Sequence, residues 1–509
     1  MFSYKLLFLL FFAQKVVLKK PNVLFIVVDD LRPNLGCYNY KNAYTPNIDK
    51  LAKSSFVFNN VFAQQALCAP SRNSFLTSRR PDSLKLYDFY SYWRDVAGNF
   101  TTFPQHFKEN GYYTKSVGKI FHPGVTSNYT DDFPLSWSEI PFHPKSEKYK
   151  NAAVCPNKDG TLGKNLICPV WVDNQPSQTL PDMESLKEAV SFISDYKKND
   201  PYFLAVGFHK PHVPFRFPIE YLKYHPLEKI ELPQNRWRPS LLPTVAWNPW
   251  NDLRRRDDMK LLNISYPFGP MPDKITKKII QSYNSATTYI DDLIGKLIKH
   301  VDKNTITVIT ADHGWSMGEH GEFSKFSNFQ TATKVPLIIN IPNLLQNTIY
   351  IDNFVELVDI FPSLVDITGV SKPLELCPFG TKMELCTEGR SFVRLLKDKP
   401  IKKKTLSKTA IFTQYPRPST YPQKKPDSDR PTLKDIKIMG YSIKTPKFRY
   451  SEWIKFNQNF TVDWNTIYGK ELYDITIDPE ENMNLIGHPE LSNIEKRLQV
   501  KLRLGWRYV

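Results

Sequence analysis

An α/β fold built on a large, mainly parallel sheet is predicted by three features of this 509-residue chain. Four apolar, β-branched runs each end in carboxylate, ammonium or imidazole side chains. Helical patterns separate the runs, and alternation of strand with helix marks the α/β class. The runs are apolar at consecutive positions, as strands covered on both faces of a parallel sheet must be. In an open sheet of this kind ligands sit beyond the carboxyl ends of the strands, so four such endings define one candidate edge.

The elements follow in order. "MFSYKLLFLLFFAQ" opens the chain with eight apolar residues, Leu6 to Ala13. That is too short to span a bilayer and reads as a signal peptide over about residues 1–20. "PNVLFIVVDD" is the first strand and ends in Asp29 and Asp30. "YYTKSVGKIFHPG" leads to Lys119 and His122, and 183–197 reads as helix. "PYFLAVGFHKPH" runs apolar from Tyr202 to Phe208, then presents His209, Lys210 and His212. A longer helix covers 276–300, and "NTITVITADHG" then delivers Asp312 and His313. These elements make up a main domain from about 21 to 400. The lysine-rich "LLKDKPIKKKTLSK" (395–408) reads as an exposed connection to a smaller domain, 405–509. There "AIFTQY", "IKIMGYSIKT" and "FRYSEWIKF" suggest an antiparallel sheet with helix near the C-terminus.

The formal charge of +17 fits either an evenly basic surface or a cleft that steers a polyanion. No nucleic-acid-binding motif accompanies it. No later segment is apolar and long enough for a membrane span, so a soluble mature chain is expected. Asn99, Asn128, Asn263 and Asn459 each begin an Asn-x-Ser/Thr triplet, which suits a secreted chain. Of six cysteines, Cys155 with Cys168 and Cys377 with Cys386 flank short polar loops. Local bridges are the simplest of the three pairings that four cysteines allow. Cys37 reads as a buried small hydrophobe. Cys68, in "FAQQALCAPSRNSFLTSRRPD", has neither a neighbouring thiol nor a metal spacing.

Each charged ending alone reads more readily as a turn, a cap or polar loop; together they argue for a site. Asp29, Asp30 and Asp312 would gather a hard cation such as calcium or magnesium through oxygen. A soft thiol sits badly in that company, where an oxygen nucleophile is wanted.

"CAPSR" followed by "FLTSRR" resembles the Cys-x-Pro-Ser-Arg signature, with Leu-Thr-Gly downstream, of the type I sulfatases. "DDLRPNLGCY", "SVGKIFHPG", "LAVGFHKPHVPFR" and "DHGWSMGEHGEFSKFSN" extend the likeness along nearly the whole chain from residue 21. The resemblance implies the alkaline-phosphatase-like sulfatase fold and oxidation of Cys68 to formylglycine by a formylglycine-generating enzyme during secretion. It implies one calcium ion on Asp29, Asp30, Asp312, the modified Cys68 and His313. Arg72 would orient the aldehyde hydrate; Lys119, His122, His209 and Lys325 would surround the sulfate. His209 would protonate the leaving sugar oxygen, and His122 would assist release of sulfate. The implied substrate is the 2-O-sulfate of a terminal iduronate in heparan or dermatan sulfate, degraded in the lysosome. Arg79 and Arg430 are candidates for the uronate carboxylate, and Trp315 for the sugar ring. Another sulfatase, a phosphate-ester hydrolase keeping its thiol, and a silent binder of sulfated glycans are the competing readings. Two positions depart from the family: Ser78 replaces the signature glycine, and Phe326 follows Lys325 in place of tyrosine.

Overall fold

The computed structural model describes residues 20–380, 382–396 and 408–509. The signal-peptide reading and nearly all of the lysine-rich connection lie outside the described residues.

In chain order the elements used below are β1 (Asn22–Val28), β2 (Phe56–Phe62), α1 (Cys68–Thr77), β3 (Tyr113–Gly118) and α2 (Pro181–Asp195). Then follow β4 (Tyr202–Phe208), α3 (Asp273–Ile298), β5 (Thr305–Ala311), β6 (Lys334–Asn340), β7 (Ile349–Glu356) and α4 (Ile360–Thr368). The C-terminal part holds β8 (Ile411–Arg417), β9 (Ile438–Lys444), β10 (Phe448–Phe456), β11 (Val462–Asp474) and α5 (Ser492–Leu504).

One seven-stranded sheet runs in the order β7-β2-β6-β5-β1-β4-β3. β1 pairs parallel with β4 and β5, and β3 with β4; β6 alone is antiparallel to its neighbours. Every residue of β1, β4 and β5 is buried, which explains why these runs lack polar alternation. Phe25 of β1 packs edge-on to Phe103 at 5.1 Å and to Phe75 of α1 at 6.1 Å. The run expected to be an interior strand at 113–118 is the sheet edge. The backbone around Phe142 covers that edge, accepting from Gly118 N at 2.8 Å and donating to Ser116 O at 3.0 Å.

Because β2 is antiparallel to β6, and β6 to β5, all four charge-bearing strands and β2 point their carboxyl ends the same way. The residue following β2 by six places is Cys68, so the thiol is delivered to the same rim as Asp29, Lys119, His209 and Asp312. α3 anchors that rim from below: Tyr283, buried at the apolar stripe of the helix, donates through its hydroxyl to Asp30 O at 2.7 Å.

β8 to β11 form a separate four-stranded antiparallel sheet, with α5 packed on it through Leu498 and Leu502. Its other apolar side meets the large sheet's loops: Tyr415, Trp453 and Tyr473 cluster with Leu67, Trp247, Phe326 and Phe329. Cys155 is bridged to Cys168 and Cys377 to Cys386, while Cys37 and Cys68 are free and buried. Asn99, Asn128, Asn263 and Asn459 are all exposed. Among the described residues no helix is long and apolar enough to cross a membrane.

His225 gives the fold a pH dependence that can be measured. It is 4% exposed, with Nε2 2.7 Å from Thr288 Oγ1, and burial pulls its pKa down to about 4. The unfolded imidazole titrates near about 6.5, so below that pH the unfolded chain takes up a proton that the folded chain refuses. Stability contributed by the neutral ring is therefore lost as pH falls from about 6.5 toward 4, by up to about 1.4 kcal/mol per pH unit. His225→Gln is expected to flatten the fall in Tm between pH 7 and pH 5; an unchanged slope would remove His225 from the account.

Candidate active site

α1 begins at Cys68, and Arg72 lies one turn further along the same helix face. Arg72 Nε donates to Asp312 Oδ2 at 2.9 Å and Nη2 to Asp29 Oδ1 at 3.1 Å, with all three side chains fully buried. Nη1 donates to Ile120 O at 3.1 Å and to Lys119 O. One guanidinium thus ties together the ends of β1, β3 and β5.

Two lysines complete the charge balance. Lys119 Nζ donates to Asp29 Oδ2 at 2.6 Å, and Lys325 Nζ to Asp30 Oδ1 at 2.7 Å. Lys325 Nζ also lies 3.0 Å from Cys68 Sγ. Burial acts to raise the Asp29 pKa, but Lys119, His212, Arg72 and Lys325 outweigh it and hold the carboxyl well below its usual range. Asp30 is lifted to about 7 by burial, only partly countered by Lys325, with Asp29 and Asp312 adding repulsion. Burial, then Asp29, push the Cys68 thiol up to about 12 against the pull of the lysines. His313 is held down to about 4 by burial. Its Nδ1 lies 3.0 Å from Gly314 O, so this nitrogen carries the proton and Nε2, 3.3 Å from Cys68 Sγ, faces the thiol as acceptor.

Four side chains are gathered closely enough to hold a metal ion. Ligand atoms of Asp29, Asp30, Cys68 and His313 all lie within 4.8 Å of one another, and Asp30 Oδ2 is buried without a hydrogen-bond partner. Asp312 borders this group rather than joining it. Its Oδ2 takes the Arg72 bond, and its Oδ1 accepts from the backbone of Asp30 at 3.1 Å and His313 at 3.0 Å.

Three strained backbone positions lie at this rim. Asp30 (φ 63°), Ser324 (φ 72°) and Phe326 (φ 74°) are left-handed non-glycine residues. Such conformations persist only where surroundings over-determine them. The C-terminal sheet supplies that support: Arg417 Nη2 donates to Phe326 O at 2.7 Å. Close approach of β3 and β4 requires Gly207, because a Cβ there would lie 2.0 Å from Lys119 O.

A cavity of about 670 Å³ opens over Cys68. Lys119, His122, Lys325 and Arg430 line it, as the sequence led us to expect. Three expected residues do not. His209 is 6% exposed and turns toward Asp182, with Nδ1 3.2 Å from Oδ1; His212, the second histidine of "HKPH", faces the cavity instead. Asp182 causes this by also accepting from the backbone of His209 at 2.6 Å and Lys210 at 3.1 Å, which fixes the turn. Arg79 is 2% exposed and binds the 377–386 disulfide loop, donating to Met383 O at 2.8 Å and to Cys386 O. Trp315 is completely buried between Phe215 and Tyr283, so no sugar reaches it. The sequence reading also missed Lys150, Lys164, Arg255 and Arg256, which bring the cationic lining to seven Lys or Arg against a single acid, Asp252. The run "RRR" at 254–256 was the available signal, but it lies between short helices with no strand to place it.

Ser78 explains its own departure from the signature. It ends α1 in a left-handed conformation (φ 52°), the position where glycine is favoured. Its hydroxyl compensates by bonding Val358 O and, at 2.7 Å, Thr387 Oγ1.

Removing Arg72 leaves two fully buried carboxylates without their shared partner. Arg72→Met is expected to destabilise the protein by about 3–5 kcal/mol in denaturant unfolding. A loss under about 1 kcal/mol would show that the lysines alone carry the carboxylates.

The family profile described as Sulfatase matches residues 21–370, and one described as N-sulphoglucosamine sulphohydrolase, C-terminal, matches 318–505. Iduronate 2-sulfatase of Homo sapiens is 48% identical over 501 residues, covering 91% of this chain and 90% of its own. Iduronate 2-sulfatase of Mus musculus is 46% identical with the same coverage. Among solved structures, a protein in complex with its substrate D-glucosamine-2-N,6-O-disulfate superposes with a TM-score of 0.67 at 19% identity, covering 96% of this chain and 97% of that one. A buried Cys-Ala-Pro-Ser-Arg helix start over an acidic, cation-ready rim, and nearly half of its residues shared with those relatives along nine-tenths of its length, lead to one statement: the chain belongs to the sulfatase family.

Proposed function

We propose that this protein is a sulfuric ester hydrolase that removes the 2-O-sulfate of a terminal iduronate from heparan or dermatan sulfate. The observation that carries the reading is Cys68 itself, a thiol set against carboxylates and ammonium groups at the floor of a strongly cationic cavity. The identity with the human and mouse iduronate 2-sulfatases supports the choice of sugar.

The encoded sulfur marks where oxygen stands in the active protein. Oxidised to formylglycine, position 68 supplies a hydrated aldehyde: one hydroxyl oxygen displaces the ester oxygen at sulfur, and the second then drives release of sulfate. Asp29 and Asp30 would hold a calcium ion beside position 68 and His313, and the ion would supply positive charge to the sulfate oxygens; Asp312 borders that group and ties it to Arg72. Lys119 and Lys325 hold the sulfate oxygens and stabilise the charge that shifts between them. Arg72 fixes the carboxylates and through them the nucleophile. His313 Nε2 is placed to take the proton of the attacking hydroxyl. His212 takes the role first assigned to His209. It is neutral in the free protein, since burial and then Lys325 depress its pKa, and the negative charge of an arriving sulfate favours its protonated form. His122, likewise depressed by burial and Lys119, acts as the base that removes the second hydroxyl proton. Arg430 reaches the uronate.

A formylglycine-generating enzyme is the partner this chemistry requires, and the lysosome, reached through the secretory pathway, is the destination that fits the four exposed glycosylation triplets. We place the catalytic unit at about 21–400 and assign the smaller unit, 405–509, to closing the pocket through Arg430.

Protein secreted from a eukaryotic host is expected to carry aldehyde at position 68 by peptide mass spectrometry. It should hydrolyse iduronate-2-sulfate disaccharides in preference to aryl or glucosamine sulfates. Turnover of the latter two alone would overturn the substrate assignment. Cys68→Ala should lower kcat at least about 10³-fold. Arg430→Gln is expected to raise KM for the disaccharide about 10-fold. Arg79→Gln should lower Tm while the folded fraction keeps its KM, and the reverse pattern would restore Arg79 to the substrate.

A further inference from the structure

We infer that Arg256, together with Arg430, forms a two-guanidinium site for the carboxylate of the same sugar whose sulfate ester reaches position 68. The inference rests on the substrate reading above and names the residue that enforces it.

Both arginines line the cavity that contains Cys68, Lys119 and Lys325. Arg256 is half-buried, yet among the described residues its guanidinium makes no hydrogen bond and no ion pair. Asp252 and Asp258 lie near enough to favour its charge without touching it, while burial and Arg430 oppose that charge. Arg430 is similarly unfulfilled: its Nε is buried without a hydrogen bond, and its closest carboxylate oxygen, Asp427 Oδ2, is 3.8 Å away. That oxygen is already taken by Arg255 Nη2 at 2.5 Å. Arg80 also leaves its Nε without a hydrogen bond, but its two terminal nitrogens chelate Glu356, while Arg72 holds two aspartates and Arg417 caps backbone carbonyls.

Two neighbouring guanidinium groups line one cavity without a hydrogen-bonded oxygen partner; Asp252, Asp427 and Asp429 offset the charge of Arg430 from a distance, while Arg256 keeps a charge that burial and Arg430 oppose. A guanidinium fork matches the two coplanar oxygens of a carboxylate, whereas a tetrahedral sulfate is met as well by point charges, which Lys119 and Lys325 supply. Asp252 is the one acid in the wall. Its Oδ2 accepts from Ser324 Oγ at 2.9 Å, which links this wall to the strained loop carrying Lys325. The two anion sites are thus mechanically joined.

The test uses the formylglycine-bearing protein and two singly sulfated disaccharides, one with terminal iduronate 2-sulfate and one with that carboxyl reduced to the primary alcohol. Neither carries a second sulfate, so only the carboxylate differs. Wild type should prefer the carboxylate substrate at least 10-fold in kcat/KM. Arg256→Gln should reduce that preference to within about 2-fold, mainly through KM, and Arg256→Lys should restore part of it. Equal loss on both substrates in both variants, or an unchanged preference, overturns the assignment. Failure of wild type on both disaccharides while it hydrolyses 4-nitrophenyl sulfate is a different result and overturns the substrate reading itself.

Discussion

The structure depends on a single buried contact set, the guanidinium of Arg72 held between Asp29 and Asp312. β1 and β5 are adjacent parallel strands, and their carboxyl ends bring two fully buried negative charges together. Without a cation at that point the rim would repel itself. α1 supplies the cation from the same helix face that begins with Cys68. The reactive position is therefore located by the pairing that makes the strand ends tolerable, and the two cannot be altered separately.

Around that contact the protein keeps charge in near balance rather than neutral. Lys119 answers Asp29 and Lys325 answers Asp30, but Asp30 retains an oxygen with no partner, and three left-handed residues are held in place at the same rim. The C-terminal sheet bears part of that load by gripping Phe326 through Arg417, and its aromatic residues pack directly under the Lys325 loop. The smaller sheet is thus a structural support of the chemistry as well as a wall of the cavity.

What the sequence disclosed and what it hid divide along physical lines. Asp29, Asp30, Lys119 and Asp312 were legible because each follows a strand within a residue or two, and strand direction fixes where such a residue goes. Beyond that distance the chain turns, and local pattern no longer tells which way a side chain faces. His209 is the exception within that distance: it follows β4 directly, yet Asp182 in a distant helix turns it away, and His212, three residues further on, meets the cavity. Arg79 looked available because it stands just past the signature, but the partner that buries it, the 377–386 loop, lies some 300 residues away in sequence. Trp315 was lost to the core for the same reason. The expected interior strand at 113–118 fell at the edge because coverage by the Phe142 segment buries it as thoroughly as a neighbouring strand would.

Cys68 retains only 1% of its surface and is enclosed by Lys325, His313 and Asp29. No macromolecule can reach that sulfur once the helix has settled onto the sheet. The oxidation proposed for position 68 would therefore have to precede packing of this segment, and collapse of the core would set a deadline for it. A substitution that hastens docking of this segment would yield well-ordered molecules that are permanently inert, and one that delays it would favour conversion at the expense of yield.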